Sequence, residues 1–88
     1  MQETVLPLVK ATLGYGSAVR DTWLKAIIDG IEAEMKNTYG LTPDPKDSEH
    51  IMFVCDLTVF RYKNQGGSTM PRNLDYRLKN LIINAVGE

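Results

Sequence analysis

Cysteine, histidine and tryptophan occur once each in these 88 residues, and phenylalanine only twice. The lone Cys55 cannot close an internal disulfide, so a reducing, cytoplasmic origin is expected rather than secretion. The single His50 has no second ligand at metal-binding spacing, because Cys55 falls on another part of the same expected helix. No run of basic residues exceeds two neighbours, and the formal net charge is -1 with a pI near 5.8. A protein held by nucleic acid phosphates shows a clustered Lys/Arg surplus, which is missing here. No stretch approaches the ~20 apolar residues of a membrane span. The opening Met1-Gln2-Glu3-Thr4 lacks a basic stretch, and Pro7 and Lys10 interrupt the apolar residues that follow, so no signal peptide is expected. Internal repeats and low-complexity segments are absent.

What is present is a globular composition, 43% apolar and 24% charged. The length predicts one domain over residues 1–88. A chain this short buries only about 60–65% of its unfolded surface, and association is one way to bury more.

Glycine and proline divide the chain into four segments with helical periodicity, which predicts an all-α bundle of about four helices. The first covers residues 4–13, with Val5, Leu8, Val9 and Leu13 in register. Pro7 is expected within its first turn or so, and Gly14-Tyr15-Gly16 ends it. The second covers residues 18–37, capped by Ser17 or Asp21. Trp23, Leu24, Ile27, Ile28, Ile31 and Met35 form its apolar stripe, opposite Lys25, Asp29, Glu32 and Lys36. Trp23 is expected as a core anchor. Gly30, costly inside a helix, suggests a close helix crossing, and Glu32 can pair with Lys36. Tyr39-Gly40 closes the segment, and Pro43 and Pro45 make residues 41–46 a stiff surface loop.

The third segment covers residues 48–64, with Asp47 as the expected N-cap. It is apolar on two sides. Ile51, Met52, Cys55, Val59 and Tyr62 share one side; Phe53, Leu57 and Phe60 share nearly the opposite one. A helix of that kind needs two neighbours, and the expectation is that one is another molecule. Residues 65–69 read as a flexible Gly-rich turn, and Pro71 starts the fourth helix. Leu74, Leu78, Leu81 and Ala85 form its core stripe, with Ile82 at the edge. Asp75 can pair with Lys79. Tyr76 and Ile83, seven residues apart on the other side, form a second candidate docking line.

Few residues invite a chemical role. Asp47, Glu49 and His50 gather at a helix start, where the helix dipole accounts for carboxylates. Cys55 lies among apolar neighbours and reads as a small buried hydrophobe, not an activated nucleophile. Gly14, Gly16, Gly66 and Gly67 lack the preceding strand and following lysine of a phosphate loop. Arg61-Tyr62-Lys63-Asn64 mixes cations and an aromatic, as base-stacking surfaces do, but it also suits a helix C-terminus. No carboxylate pair or nucleophile-base set emerges, so neither catalysis nor a cofactor is expected.

The order of features resembles a known family. A short helix precedes Asp21-x-x-Leu24-x-x-Ile27-Ile28-x-x-Ile31, then come a proline-bearing loop and a helix ending Phe60-Arg61-Tyr62-Lys63-Asn64. A Gly-rich turn then leads to Met70-Pro71-Arg72-Asn73-Leu74, with Leu78 and Leu81 beyond. The arrangement, over nearly the whole chain, is similar to the small head-tail connector proteins of tailed double-stranded DNA bacteriophages and prophages. That resemblance implies a non-catalytic virion protein, present in the host cytoplasm during assembly. It implies a ring of about a dozen copies, bound to the portal protein on one side and to a tail-side connector or stopper protein on the other. Encapsidated DNA would pass through its channel without sequence-specific binding. Phe53, Leu57, Phe60, Arg61, Tyr76 and Ile83 are the candidate interface residues.

Two other readings fit four short helices. A helix-turn-helix regulator would use Arg72, Asn73, Arg77, Asn80 and Asn84 of the fourth helix against duplex DNA. A phage tail assembly chaperone would leave before the particle is finished.

Overall fold

The structure is a computed structural model that describes residues 1–14, 16, 18–64 and 70–86, the Val86 side chain excepted. It is all-α. The helices are α1 (Gln2–Leu13), α2 (Asp21–Thr38), α3 (Ser48–Lys63) and α4 (Arg72–Val86), with one 3-10 turn, Ala18–Arg20, before α2. The described residues contain no strand. The possible Ser17 cap and the 65–69 turn lie outside the described residues.

Helix α1 runs antiparallel to α2. Gln2 Nε2 donates to the Asp29 carboxylate near one end, and Lys10 Nζ lies 2.9 Å from Asp21 at the other. Helix α3 lies against both of them, and α4 packs on α3 alone. The α3–α4 pair is also antiparallel, since Arg77 reaches Asp56 while Leu81 lies by Ser48.

Local signals explain most boundaries. Gly14 takes the left-handed conformation, φ 78°, that stops α1. Gly40, φ 67°, lets the Leu41 amide turn back to the Met35 carbonyl at 2.9 Å, and Leu41 then buries itself beyond the helix end. The Asp47 carboxylate accepts from the amides of Glu49 (2.9 Å) and His50 (3.4 Å), as expected of an N-cap. The Pro71 carbonyl accepts from the Asp75 amide and opens α4.

The core is built from the expected stripes: Val5 and Val9, then Leu24, Ile28, Ile31 and Met35, then Leu74, Leu78 and Leu81. Several expectations are corrected. Because α1 begins at Gln2, Pro7 sits in its second turn, where the missing amide removes a bond to Glu3. Leu8 faces solvent in large part, and Ala85 is exposed. Gly30 is not a crossing point; a Cβ built there meets nothing within 4 Å. Asp21 is the first residue of α2 and pairs with Lys10 instead of capping. Glu32 takes the N-terminal ammonium at 3.5 Å rather than Lys36. The 41–46 loop is not purely a surface loop, since Leu41 and Pro43 are buried. His50 ties that loop down: its Nδ1 accepts from the Asp44 amide at 2.9 Å.

Candidate functional site

Helix α3 decides which surfaces remain available. Both of its apolar sides are used within the chain. Ile51, Cys55, Val59 and Tyr62 pack toward the core, with Cys55 buried and the others partly buried. On the opposite side, Phe53 is 0% exposed and Leu57 2%. Helix α4 lies over Phe53: the Arg77 guanidinium is 6.0 Å from the Phe53 ring centroid and 2.6 Å from Asp56. The expectation that Phe53 and Leu57 meet another molecule is therefore corrected, because both side chains are buried within the chain itself. Phe60 is half-buried against the core. Arg61 donates to Glu34 on α2, with Nη2 at 3.1 and 2.9 Å from the two carboxylate oxygens, so it ties two helices of one chain together.

Tyr76 and Ile83 stand outward as expected, 67% and 65% exposed. Three further apolar side chains join them at the surface. Met52, expected on the core side, is half-exposed. Val19 is almost fully exposed. Trp23, expected as a core anchor, is 51% exposed. Trp23 stands one position before buried Leu24, at the margin of the apolar stripe, where rotation of the helix about its axis decides burial. Periodicity cannot settle such a marginal position.

Four of these residues border two surfaces on different helices, and Tyr76 lines neither. One is the start of α2, where Val19, in the turn before the helix, and Trp23 stand a turn apart. The other is a groove of about 340 Å³ between α3 and α4. Phe53 and Leu81 form its floor, Met52 a wall, and Ser48, Glu49, Arg77 and Asn80 its rim. A wider depression of about 860 Å³ continues from it toward Ile83 and the 40–47 loop, sharing Ser48, Glu49 and Leu81. Arg77 is neutralised by Asp56, while Glu49 has no ion-pair partner among the described residues. The groove mouth is accordingly acidic, with Asp44 and Asp47 nearby.

The described residues contain no group of three His, Cys, Asp or Glu side chains able to hold a metal. The Cys55 thiol is pushed up from its ordinary 9.0, first by burial and then by the neighbouring Asp56 carboxylate, with the Thr12 hydroxyl offsetting part of the rise. A thiol so placed stays protonated and is a poor nucleophile. Of the cations and amides on α4, Arg77 is tied to Asp56, while Arg72, Asn73, Asn80 and Asn84 are exposed. No helix among the described residues is long and apolar enough to cross a membrane. In comparisons with known proteins, no family model, no curated relative and no solved structure matches the chain.

Proposed function

We propose that this chain is a structural subunit of the head-tail connector of a tailed double-stranded DNA phage or prophage, working in the virion by docking onto copies of itself, the portal protein and a tail-side protein. The observation that carries the docking part is the set of apolar side chains left at the surface, Val19, Trp23, Met52, Tyr76 and Ile83. Tryptophan is enriched at protein interfaces, and Trp23 stands half-exposed beside the exposed Val19. The connector part is supported by the order of motifs from Asp21 to Leu81, above all Phe60-Arg61-Tyr62-x-Asn64 followed by Met70-Pro71-Arg72-x-Leu74. The near-neutral charge suits a channel wall along which DNA slides without being held. The test is electron microscopy of particles from a phage or prophage lacking this gene. DNA-filled heads beside complete, separate tails are expected. Normally joined virions, or an absence of heads or tails, would sink the reading.

A further inference from the structure

We infer that His50 is a pH-sensitive latch on the loop between α2 and α3: the uncharged ring holds the loop down through the Asp44 amide, and the charged ring lets it go. This goes beyond the structural role proposed above and does not depend on it.

The latch follows from the separate tasks of the two ring nitrogens. The Asp44 amide donates to His50 Nδ1 at 2.9 Å. A nitrogen that accepts carries no proton, so the proton of the uncharged ring sits on Nε2. Nε2 lies 3.7 Å from Asp47 Oδ2. A second proton can enter only at Nδ1, where it meets the Asp44 N–H. Both ring nitrogens are then donors. The bond to Asp44 is lost, and two N–H groups face each other where donor met acceptor. What the charged ring gains is the Asp47 carboxylate, which a charged donor binds more strongly than a neutral one. One proton therefore exchanges a contact with the loop for a contact with the cap of α3. The His50 side chain is 13% exposed, which leaves water a path to it.

The charges around the ring favour this exchange. Asp47 Oδ1 is occupied by the amides of Glu49 and His50, which leaves Oδ2 for the ring. The Asp44 carboxylate accepts from the Lys46 amide, and Glu49 precedes His50 on α3. Lys46 is the cation of the loop and is exposed. From α4, the depression beside His50 is lined by Leu81, Ile83, Asn84 and Ala85, none of which titrates. Asp29, Glu32 and Lys36 of α2 and Glu3 of α1 line hollows with Thr42, Pro43 and Pro45 instead, and the N-terminal ammonium lies against Glu32. The groups close to the ring are thus carboxylates. They can receive the charged ring, but they cannot replace the acceptor that the Asp44 amide loses.

The loop is pinned at two places. At the α2 end the Leu41 amide donates to the Met35 carbonyl, and at the α3 end the Asp44 amide donates to His50. Between these ties Pro43 is buried, as is Leu41. The turn from Asp44 to Asp47 is closed by its own bonds, Asp47 amide to Asp44 carbonyl at 3.1 Å and Lys46 amide to Asp44 Oδ1 at 2.9 Å. It remains a turn whatever the ring does. Release by His50 therefore frees one tie and loosens the bank of the wide depression, to which Leu41, Thr42 and Asp44 belong.

Nuclear magnetic resonance of the isotope-labelled full chain tests this between about pH 8 and about pH 5, where imidazole changes charge. At the alkaline end, a scalar coupling across the hydrogen bond should join the Asp44 amide nitrogen to His50 Nδ1. On acidification the coupling should vanish as the ring nitrogens report the second proton. The protection factor of the Asp44 amide, corrected for the pH dependence of exchange itself, should fall about tenfold or more, the worth of one hydrogen bond. Helical circular dichroism should stay unchanged. His50→Asn offers a carboxamide oxygen in place of Nδ1 and takes up no proton, so it should keep the Asp44 amide protected at both ends of the range. His50→Ala should leave it unprotected at both. Absence of the coupling at the alkaline end would overturn the latch, and so would undiminished protection while the ring takes up its proton. The same loss of protection in His50→Asn would assign the response to the carboxylates of Asp44 or Asp47 and overturn it as well. Wild type and His50→Asn decide the matter even where His50→Ala does not fold.

Discussion

Gly30→Ala should make the protein more stable. Gly30 lies inside α2, is exposed, and has a helical backbone with no left-handed φ. A Cβ placed there meets no atom within 4 Å. Nothing in the fold therefore opposes the intrinsic preference, and alanine is favoured over glycine in a helix interior by about 1 kcal/mol. In a domain of this size, about 1 kcal/mol corresponds to a rise in Tm of roughly 4–8 °C. Urea unfolding followed by circular dichroism reads the same quantity, as a higher midpoint with an unchanged slope. An unchanged or lowered midpoint would refute the reasoning, because it would require a neighbour against α2 at that point. The monomer and the assembly can also be separated. A variant that is more stable in isolation but no longer enters particles would place Gly30 against a neighbouring subunit.

Further outcomes are expected at five positions. Leu57→Asp sets a charge among residues buried within the chain, and Phe53→Ala removes a ring in full contact; the second should cost about 3–5 kcal/mol and the first should unfold the chain, both read by thermal melts. A folded, soluble Leu57→Asp protein would contradict the burial of Leu57. Asp47→Ala should cost about 1 kcal/mol through loss of the α3 cap, and Asp47→Ser should recover most of it in the same melt. Arg61→Ala should cost under about 1 kcal/mol in urea unfolding, because both partners of its pair with Glu34 are about one-third exposed to water. Cys55 should react with a water-soluble thiol reagent far more slowly in the folded chain than in urea. Its raised thiol value stabilises the fold fully below the ordinary 9.0, and that contribution is lost as pH rises past it, so alkaline melts should fall less steeply in Cys55→Ser.

Much of the fold was legible because it rests on local signals. Apolar residues at helical spacing, Gly14 and Gly40 at helix ends, the Asp47 cap and the Asp75–Lys79 pair, 2.9 Å apart, can all be read from neighbours in the chain. Helices α1 and α3 and the start of α4 fall within two residues of their expected limits, whereas α2 begins three residues late, after the Ala18–Arg20 turn. What escaped depends on how helices are arranged in space. The two apolar sides of α3 require two neighbours, but periodicity is silent on whether those come from the same chain. The structure shows α4 on one side and α1 with α2 on the other. Pro7 is tolerated because Val5 and Val9, on either side of it, are fully buried and hold α1 in place. Packing of this kind outweighs a local preference.

The candidate surfaces were legible only in half. Tyr76 and Ile83 lie opposite a clean leucine stripe, so their exposure follows from geometry alone. Trp23 and Met52 sit beside buried residues, Leu24 and Phe53, where a rotation of some tens of degrees separates core from surface. The composition of the helix leaves that rotation undetermined until its neighbours are placed. Arg61 shows the converse. A cation in an aromatic-rich helix end reads equally as a contact for a partner, and only the position of Glu34 turns it inward.

The central claim, a structural subunit at the joint of head and tail, is tested most directly by cryo-electron microscopy of the neck of virions that encode this chain. The account predicts a ring of density beneath the portal into which this four-helix fold fits, one copy per repeat. A neck resolved to helical detail that accommodates no copy of the fold would contradict it.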